Sequence, residues 1–338
     1  MEHNWKKHLL KSGLPFEYEV KELFVKNGCT VWDEYSYLKN DENNIVKEFS
    51  YDLDANKWNG GYSIDFMIEC KYKTEPTKWF FTPDPYSYQK ELNQNSFLHP
   101  IDHFTENNFL FNQMPFYKVI EEPLGPFCLK GVEIYNNKPV ETNIFRAIKQ
   151  LSYAFIEKTI SAFDGQLDSE VKMFNDTVYL KIPLIITNAD LHLINENITT
   201  KEIEKASSFE EISSEHNFLI FHNLIGEHLR EYSLMKLATF FSGIEKKRVD
   251  ERINTFTDDI NHFCNVIASN YSPECILIMK HDDNHNNYKK LFDYINFLTT
   301  ESANLDERIN SVQEEMKKKH KEIEEKLIKK KSLQQKSK

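Results

Sequence analysis

Residues 62–72, Tyr-Ser-Ile-Asp-Phe-Met-Ile-Glu-Cys-Lys-Tyr, restrict the fold more than any other segment of the chain. Side chains on a strand repeat with period two. Ile64, Phe66, Ile68 and Cys70 therefore face one way, and Asp65, Glu69 and Lys71 face the other. The preceding residues extend this frame. Residues 15–27 predict a helix, with Pro15 in its first turn after Ser12 and Gly13. Phe16, Val20, Leu23, Phe24 and Asn27 fall on one side of that helix, and Gly28 can close its C-terminus. Residues 29–38 predict a strand, 39–44 a polar turn and 46–55 an alternating second strand. The order is helix, strand, strand, strand.

Residues 73–141 break this rhythm. They hold eight of the eleven prolines together with Trp79, Phe80, Phe81, Phe97, Phe104, Phe109, Phe111 and Phe116. Regular structure is expected to be short here. That much apolar surface must pack, so the segment predicts an ordered insertion rather than a linker. Its aromatic residues are expected mainly to complete a core, with a lid or a base-stacking surface as the alternative. Residues 142–161 predict a helix whose apolar face is Phe145, Ile148, Leu151, Phe155 and Ile156. Strands are expected at 178–186 and 191–194, and another at 218–222. From about 230 the pattern is mostly helical, interrupted by a short apolar run from Cys275 to Met279. In the tail from 301, Leu305, Ile309, Val312, Met316, Ile323 and Leu327 recur at spacings near 3.5, which suits a short coiled coil. The expected organisation is a unit over 1–230, a mostly helical region over 231–300 packed on it, and a charged helical tail over 301–338.

Composition narrows the class. The chain of 338 residues is 40% hydrophobic and 13% aromatic, enough for a sizeable core and incompatible with wholesale disorder. No apolar run approaches membrane-span length, and no secretory leader is visible at the N-terminus. The five cysteines are widely spread without a CxxC pair, which reads as a reduced, cytoplasmic chain. No P-loop motif occurs. Net charge is −11, but residues 317–338 hold ten Lys and three Glu, a local +7, so the rest of the chain carries −18. The body thus lacks the basic footprint of a nucleic-acid binder, and any such role has to rest on a site.

One site is suggested. Asp52 sits late on the second predicted strand, and Glu69 and Lys71 project from one face of the third. Adjacent strands lie about 5 Å apart, so Asp52 and Glu69 can share a cation if the register brings them level. Carboxylate oxygens suit Mg²⁺, which polarises a phosphoryl oxygen and acidifies a bound water. A lysine two residues from a ligand can orient that water and offset charge in the transition state. Asp54 is the rival of Asp52. Glu19 is the rival of Glu17, which lies nearer the Phe16/Val20/Phe24 face. Asp65 is expected at the surface and Cys70 in the core. The HxxxH spacings at His99/His103 and His281/His285 lack an evident third ligand, so zinc is not expected there.

These segments resemble the PD-(D/E)XK nuclease superfamily and, within it, the Mrr-like restriction endonucleases. The resemblance covers roughly residues 13–190 and rests on GLPFEYEVKELFVKNGCTV, YDLDA, IECKYK and NIFRAIKQLSYAF. It implies an α/β fold, a restriction-endonuclease-like mixed sheet flanked by helices, with a helical C-terminal extension. It implies a catalytic set of Glu17, Asp52, Glu69, Lys71 and Gln150, the last beside Tyr153. It further implies Mg²⁺ or Mn²⁺ held by Asp52, Glu69 and the carbonyl of Cys70. The chain departs from the family pattern at Ser50, where an acid usually stands, in the long insertion, and in the spacing of Gln150 to Tyr153. The implied function is cleavage of DNA, in restriction or anti-phage defence. The alternative is a nuclease-like binding subunit that assembles with a partner protein. A homodimer or partner contact through the C-terminal helix is expected, and no membrane association.

Overall fold

The computed structural model describes residues 4–40, 45–59, 62–74, 76–84, 97–105, 124–135, 138–140, 142–168, 174, 177–253 and 259–299. The coiled-coil tail and Phe109, Phe111 and Phe116 lie outside them. Helix α1 (Asn4–Lys11) turns at Gly13, whose φ of 83° is left-handed, into α2 (Leu14–Lys26). Pro15 stands in the first turn of α2, and Phe16, Val20, Leu23 and Phe24 form its buried face. Strands β1 (Thr30–Asn40), β2 (Val46–Asn59) and β3 (Tyr62–Lys71) follow, as expected, in an antiparallel meander.

The segment 73–141 contributes more regular structure than its prolines suggest. It supplies β4 (Thr77–Pro83), β5 (His99–Ile101), β6 (Phe127–Tyr135) and β7 (Lys138–Val140). Next come helix α3 (Thr142–Asp168), strands β8 (Val178–Thr187) and β9 (Asp190–Ile194), and helix α4 (Thr200–Lys205). Strands β10 (Ser213–His216) and β11 (Phe218–His222) precede helices α5 (Glu227–Ser242), α6 (Lys246–Arg252) and α7 (Ile260–Asn270). Strand β12 (Cys275–Lys280) and helix α8 (Asn286–Thr299) complete the described residues.

The described strands join one mixed sheet in the order β1-β2-β3-β8-β12-β11-β6-β4-β9-β10, with β5 paired to β8 and β7 to β6. β3, β8 and β12 run parallel. β12 pairs with Leu184–Thr187 of β8, while the short β5 pairs with Tyr179–Lys181 at its other end. The apolar run at 275–279 is therefore a central strand, and the region 231–300 builds part of the sheet as well as the helices beside it. β4 and β6 are likewise interior strands.

Helices cover both faces. On one, α2 and α8 pack on Leu53, Ala55, Ile64, Phe66, Ile68, Leu180, Ile182, Leu184 and Leu277. On the other, α3 packs on Met67, Ile185, Leu219, Ile276 and Ile278. Strands buried on both faces lose the polar half of the alternation, which is why β8 and β12 read as continuous apolar runs. α3 buries Ile144, Ala147, Ile148, Leu151, Ala154 and Phe155 in this core, and Ile156, Ala162, Phe163 and Leu167 further along. Phe145, expected on that face, is 58% exposed. A third cluster joins the end of α3 to α5, α6 and α7 around Phe104, Phe163 and Phe263.

Trp79 is fully buried, and its indole N–H donates to Glu133 Oε2 at 3.1 Å. With Phe81, Phe97 and Phe104 also fully buried, these aromatics of the insertion complete cores and offer no base-stacking face.

Candidate active site where β2 parts from β3

The β2–β3 ladder ends at Leu53↔Ile68, whereas β3 stays paired with β8 through Lys71↔Thr187. Beyond that point the two strands part, and the site sits in the gap. β2 also turns over there. Leu53 and Ala55 belong to the core under α2, but Tyr51 belongs to the core under α3. Opposite Asp52 on β1, Glu34 is in the left-handed region at φ 56°, and the ladder skips this pair. The Asp52 carboxylate takes the place of the missing ladder partner: Cys70 N–H donates to its Oδ2 at 2.6 Å.

Glu69 is completely buried. Its Oε1 accepts from the Lys71 ammonium, two residues on along the same face, and its Oε2 has no hydrogen-bond partner. Burial pushes the Glu69 carboxyl up to about 7, and the charges of Asp52 and Glu17 push the same way against Lys71. Burial also raises Asp52, opposed by Lys71 and the Cys70 N–H. Glu17, in the first turn of α2, is raised by burial and by Asp52. Gly13 lies against it: a Cβ there would stand 3.1 Å from Glu17 Oε1. Three carboxyls and one ammonium thus act on one another where the end of β3 lies beside the middle of β2, Asp52 being mid-strand rather than late on β2. Each carboxyl is held more weakly ionised than in water, as expected where negative charge exceeds positive in a dry pocket.

Gln150 lies beside this group. Its side-chain amide donates to the Ser50 carbonyl at 2.8 Å, two residues before Asp52, and its Oε1 is buried without a partner. Tyr37 donates to the Gln150 carbonyl at 3.1 Å, and Tyr37 itself feels the Glu69 charge. Cys70 packs in the core, its thiol held up by burial.

The rivals fall elsewhere. Asp54 accepts from Tyr51 and pairs with Lys158, both at 2.8 Å. Asp65, expected at the surface, is buried against Lys181 and Asn56. Glu19 faces His281 and His285. His99 and His103 are both buried, in aromatic surroundings.

Sequence reasoning missed the residues that fix the end of β3. Thr187 donates its hydroxyl to the Lys71 carbonyl at 2.8 Å, and the Asn188 amide clasps both backbone groups of Lys73. Lys73 in turn pairs with Glu133 at 2.7 Å. A Thr-Asn pair at the end of a strand was the only signal, and it is a common one.

Carboxylate oxygens without saturated hydrogen bonding are the donors a hard cation takes. Asp52 and Glu69 fit Mg²⁺ or Mn²⁺ by that chemistry, Glu69 through its unpartnered Oε2. Among the described residues, no group of three or more His, Cys, Asp or Glu side chains is gathered closely enough to hold a metal by itself. A site of two carboxylates and a main-chain carbonyl does not require such a group.

Among the described residues no helix is long and apolar enough to cross a membrane. No protein-family model matches the chain, and no curated protein or solved structure does.

Proposed function

We propose that the chain is a metal-dependent endonuclease of the PD-(D/E)XK type with a restriction-endonuclease-like core, cutting phosphodiester bonds of DNA. The observation that carries this reading is the meeting of Glu17, Asp52, Glu69 and Lys71 where β2 parts from β3, with Glu69 Oε2 buried and unpartnered. Nothing in the packing of a sheet calls for three carboxyls there, and each departs from its ordinary ionisation.

Asp52 and Glu69 would hold Mg²⁺ or Mn²⁺ with the Cys70 carbonyl. The ion supplies charge for the phosphoryl oxygens and acidity for a water. The chain's own residues do the remainder. Lys71, now on Glu69, is placed to hand its ammonium to the attacking water and to the charge that grows on the phosphoryl group. Glu17 stands at the mouth of the group on α2, where it can orient a further water. Gln150 braces the backbone of β2 just before Asp52, and the Tyr37 hydroxyl ties β1 to the Gln150 carbonyl on α3. A role in restriction or anti-phage defence follows from the resemblance to Mrr-like enzymes.

A binding subunit with a nuclease-like core is the second reading. The −18 carried outside the basic tail supports it, because that charge repels phosphates.

Plasmid nicking with Mg²⁺ or Mn²⁺ separates the two readings. The wild-type chain is expected to nick, EDTA to stop it, and Lys71→Ala, Asp52→Ala and Glu69→Ala each to abolish it with the fold retained. Equal cleavage by wild type and Lys71→Ala would overturn the assignment.

A further inference from the structure

We infer that the outer side of the first half of α3, with the neighbouring end of the β1–β2 ladder, is the surface on which the phosphate backbone of substrate DNA lies. It rests on the nuclease reading, whose substrate it takes as the occupant.

The first half of α3 is anchored beside the acids at two points. Asn143 donates to both carboxylate oxygens of Glu133 at 3.2 Å, and Glu133 pairs with Lys73, two residues beyond Lys71. Gln150 donates to the carbonyl of Ser50, two residues before Asp52. The helix therefore runs from just past the end of β3 to the β2 segment that leads into Asp52. Residues three and four apart share one side of a helix. Arg146, Lys149, Gln150 and Tyr153 make such a stripe, and Arg146 and Lys149 are exposed. Lys149 Nζ also stands over the exposed Phe145 ring, 4.5 Å from its centre.

The stripe continues onto the sheet. Lys39 Nζ on β1 lies 3.8 Å from the centre of the Tyr153 ring and 4.9 Å from that of Phe49 on β2. Lys47, which is exposed, stands opposite Lys39 in the ladder.

Charge selects the occupant. Residues 142–156 hold Arg146 and Lys149 and no acid. Lys39 and Lys47 add two further cations, against Glu48 beside Lys47. Outside its basic tail the chain carries −18, so this is a local excess of positive charge on an anionic body. Such a field steers a polyanion to this side and away from the rest of the surface. The positive end of the α3 dipole acts in the same direction. Phe145 and Tyr153 set aromatic rings beside the cations, where sugars and unstacked bases can rest. An acidic protein would match the same charge, but it gains nothing from a place beside a phosphodiester-cutting site.

The test uses the full chain carrying Lys71→Ala, which keeps both carboxylates, in MgCl₂ with a labelled DNA duplex read by anisotropy at several salt concentrations. Arg146→Ala combined with Lys149→Ala is expected to weaken binding about tenfold or more and to lower the slope of log affinity against log salt by about 1.8. Lys246→Ala combined with Lys247→Ala removes the same charge from exposed positions on α6 and is expected to change neither. With Lys71 restored, the Arg146/Lys149 variant is expected to nick plasmid with a raised KM and an unchanged kcat, at an unchanged melting temperature. Unchanged affinity and slope in that variant overturn the inference even where the wild type nicks. An equal loss in the Lys246/Lys247 variant overturns it as well, and so does the absence of DNA binding, which would leave the cations to an acidic protein. A wild type that binds through Arg146 and Lys149 but does not nick overturns the nuclease reading instead and leaves the surface standing.

Discussion

β2 and β3 carry two pairs of acids, and the pairs are treated oppositely. Asp54 and Asp65 are matched by Lys158, Lys181, Tyr51 and Asn56. Asp65 is accordingly held below its ordinary value, its partners outweighing burial. Among the described residues, Lys71 is the cation that acts on both Asp52 and Glu69, and both are held above their ordinary values. Similar residues on the same two strands are therefore saturated in one case and short of positive charge in the other. The saturated pair ties β2 to helix α3 through Asp54 and Lys158, and β3 to β8 through Asp65 and Lys181. An unsaturated pair costs stability, and such costs persist at sites that act on a ligand. The contrast separates structure from chemistry better than residue type does.

Breaking the saturated pair is expected to have the largest effect. Asp65→Asn leaves Lys181 buried without its counter-charge, which costs about 3–5 kcal/mol. Urea unfolding measures it. A change below about 1 kcal/mol would mean that the two pairs are not different in kind.

The unsaturated pair predicts the reverse in stability and a loss in activity. Glu69→Gln removes a poorly solvated charge, so its unfolding free energy at pH 8 should equal or exceed that of wild type. Its DNA cleavage should fall at least about 100-fold, the scale of losing one electrostatic group from a site of this kind. Matched stability and nicking measurements on one preparation check both halves.

The pairs also differ in the sign of their pH dependence. Glu69 has a folded value of about 7 against 4.5, so the folded state binds its proton more tightly than the unfolded chain. That contribution is complete below pH 4.5 and is lost as pH rises through about 7, a change of about 3 kcal/mol. Asp65 works the other way: its stabilisation is present above 3.8 and is lost as pH falls below it. In EDTA, wild-type stability is expected to decline between pH 4.5 and 7, and Glu69→Gln is expected to flatten that decline. Mg²⁺ should flatten it as well, by binding the ionised carboxylate.

Much of this contrast was open to sequence reasoning, and its limits have physical causes. The period-two pattern of 62–72 separated Ile64, Phe66, Ile68 and Cys70 from Glu69 and Lys71. The Phe16/Val20/Leu23/Phe24 stripe located α2. Asp65 was assigned to the surface because an acid on a strand usually faces water, and its partner Lys181 lies 116 residues away. β12 went unread as a strand because a short run that is apolar on both faces has no period to detect. Prolines concealed β4 and β6 by suggesting breaks. The turning over of β2 at Asp52 has no local signature, since it depends on where the β2–β3 ladder stops.

The smallest expected effect belongs to Gln150, which stands between the two behaviours. Its Nε2 has a partner in the Ser50 carbonyl, like the groups around Asp65, and its buried Oε1 has none, like Glu69 Oε2. One hydrogen bond to a main-chain carbonyl is worth about 1 kcal/mol, so Gln150→Ala should lower stability by roughly that amount. If the residue only braces β2, cleavage should fall a few-fold in step with that loss, through a less well held Asp52. If Oε1 also accepts from substrate or from a water of the site, cleavage should fall further while stability changes no more. Gln150→Glu decides between these, because it keeps an acceptor at Oε1 but removes the donor to Ser50. Cleavage closer to wild type in Gln150→Glu than in Gln150→Ala would place Gln150 with Glu69. Equal losses in the two would place it with Asp65.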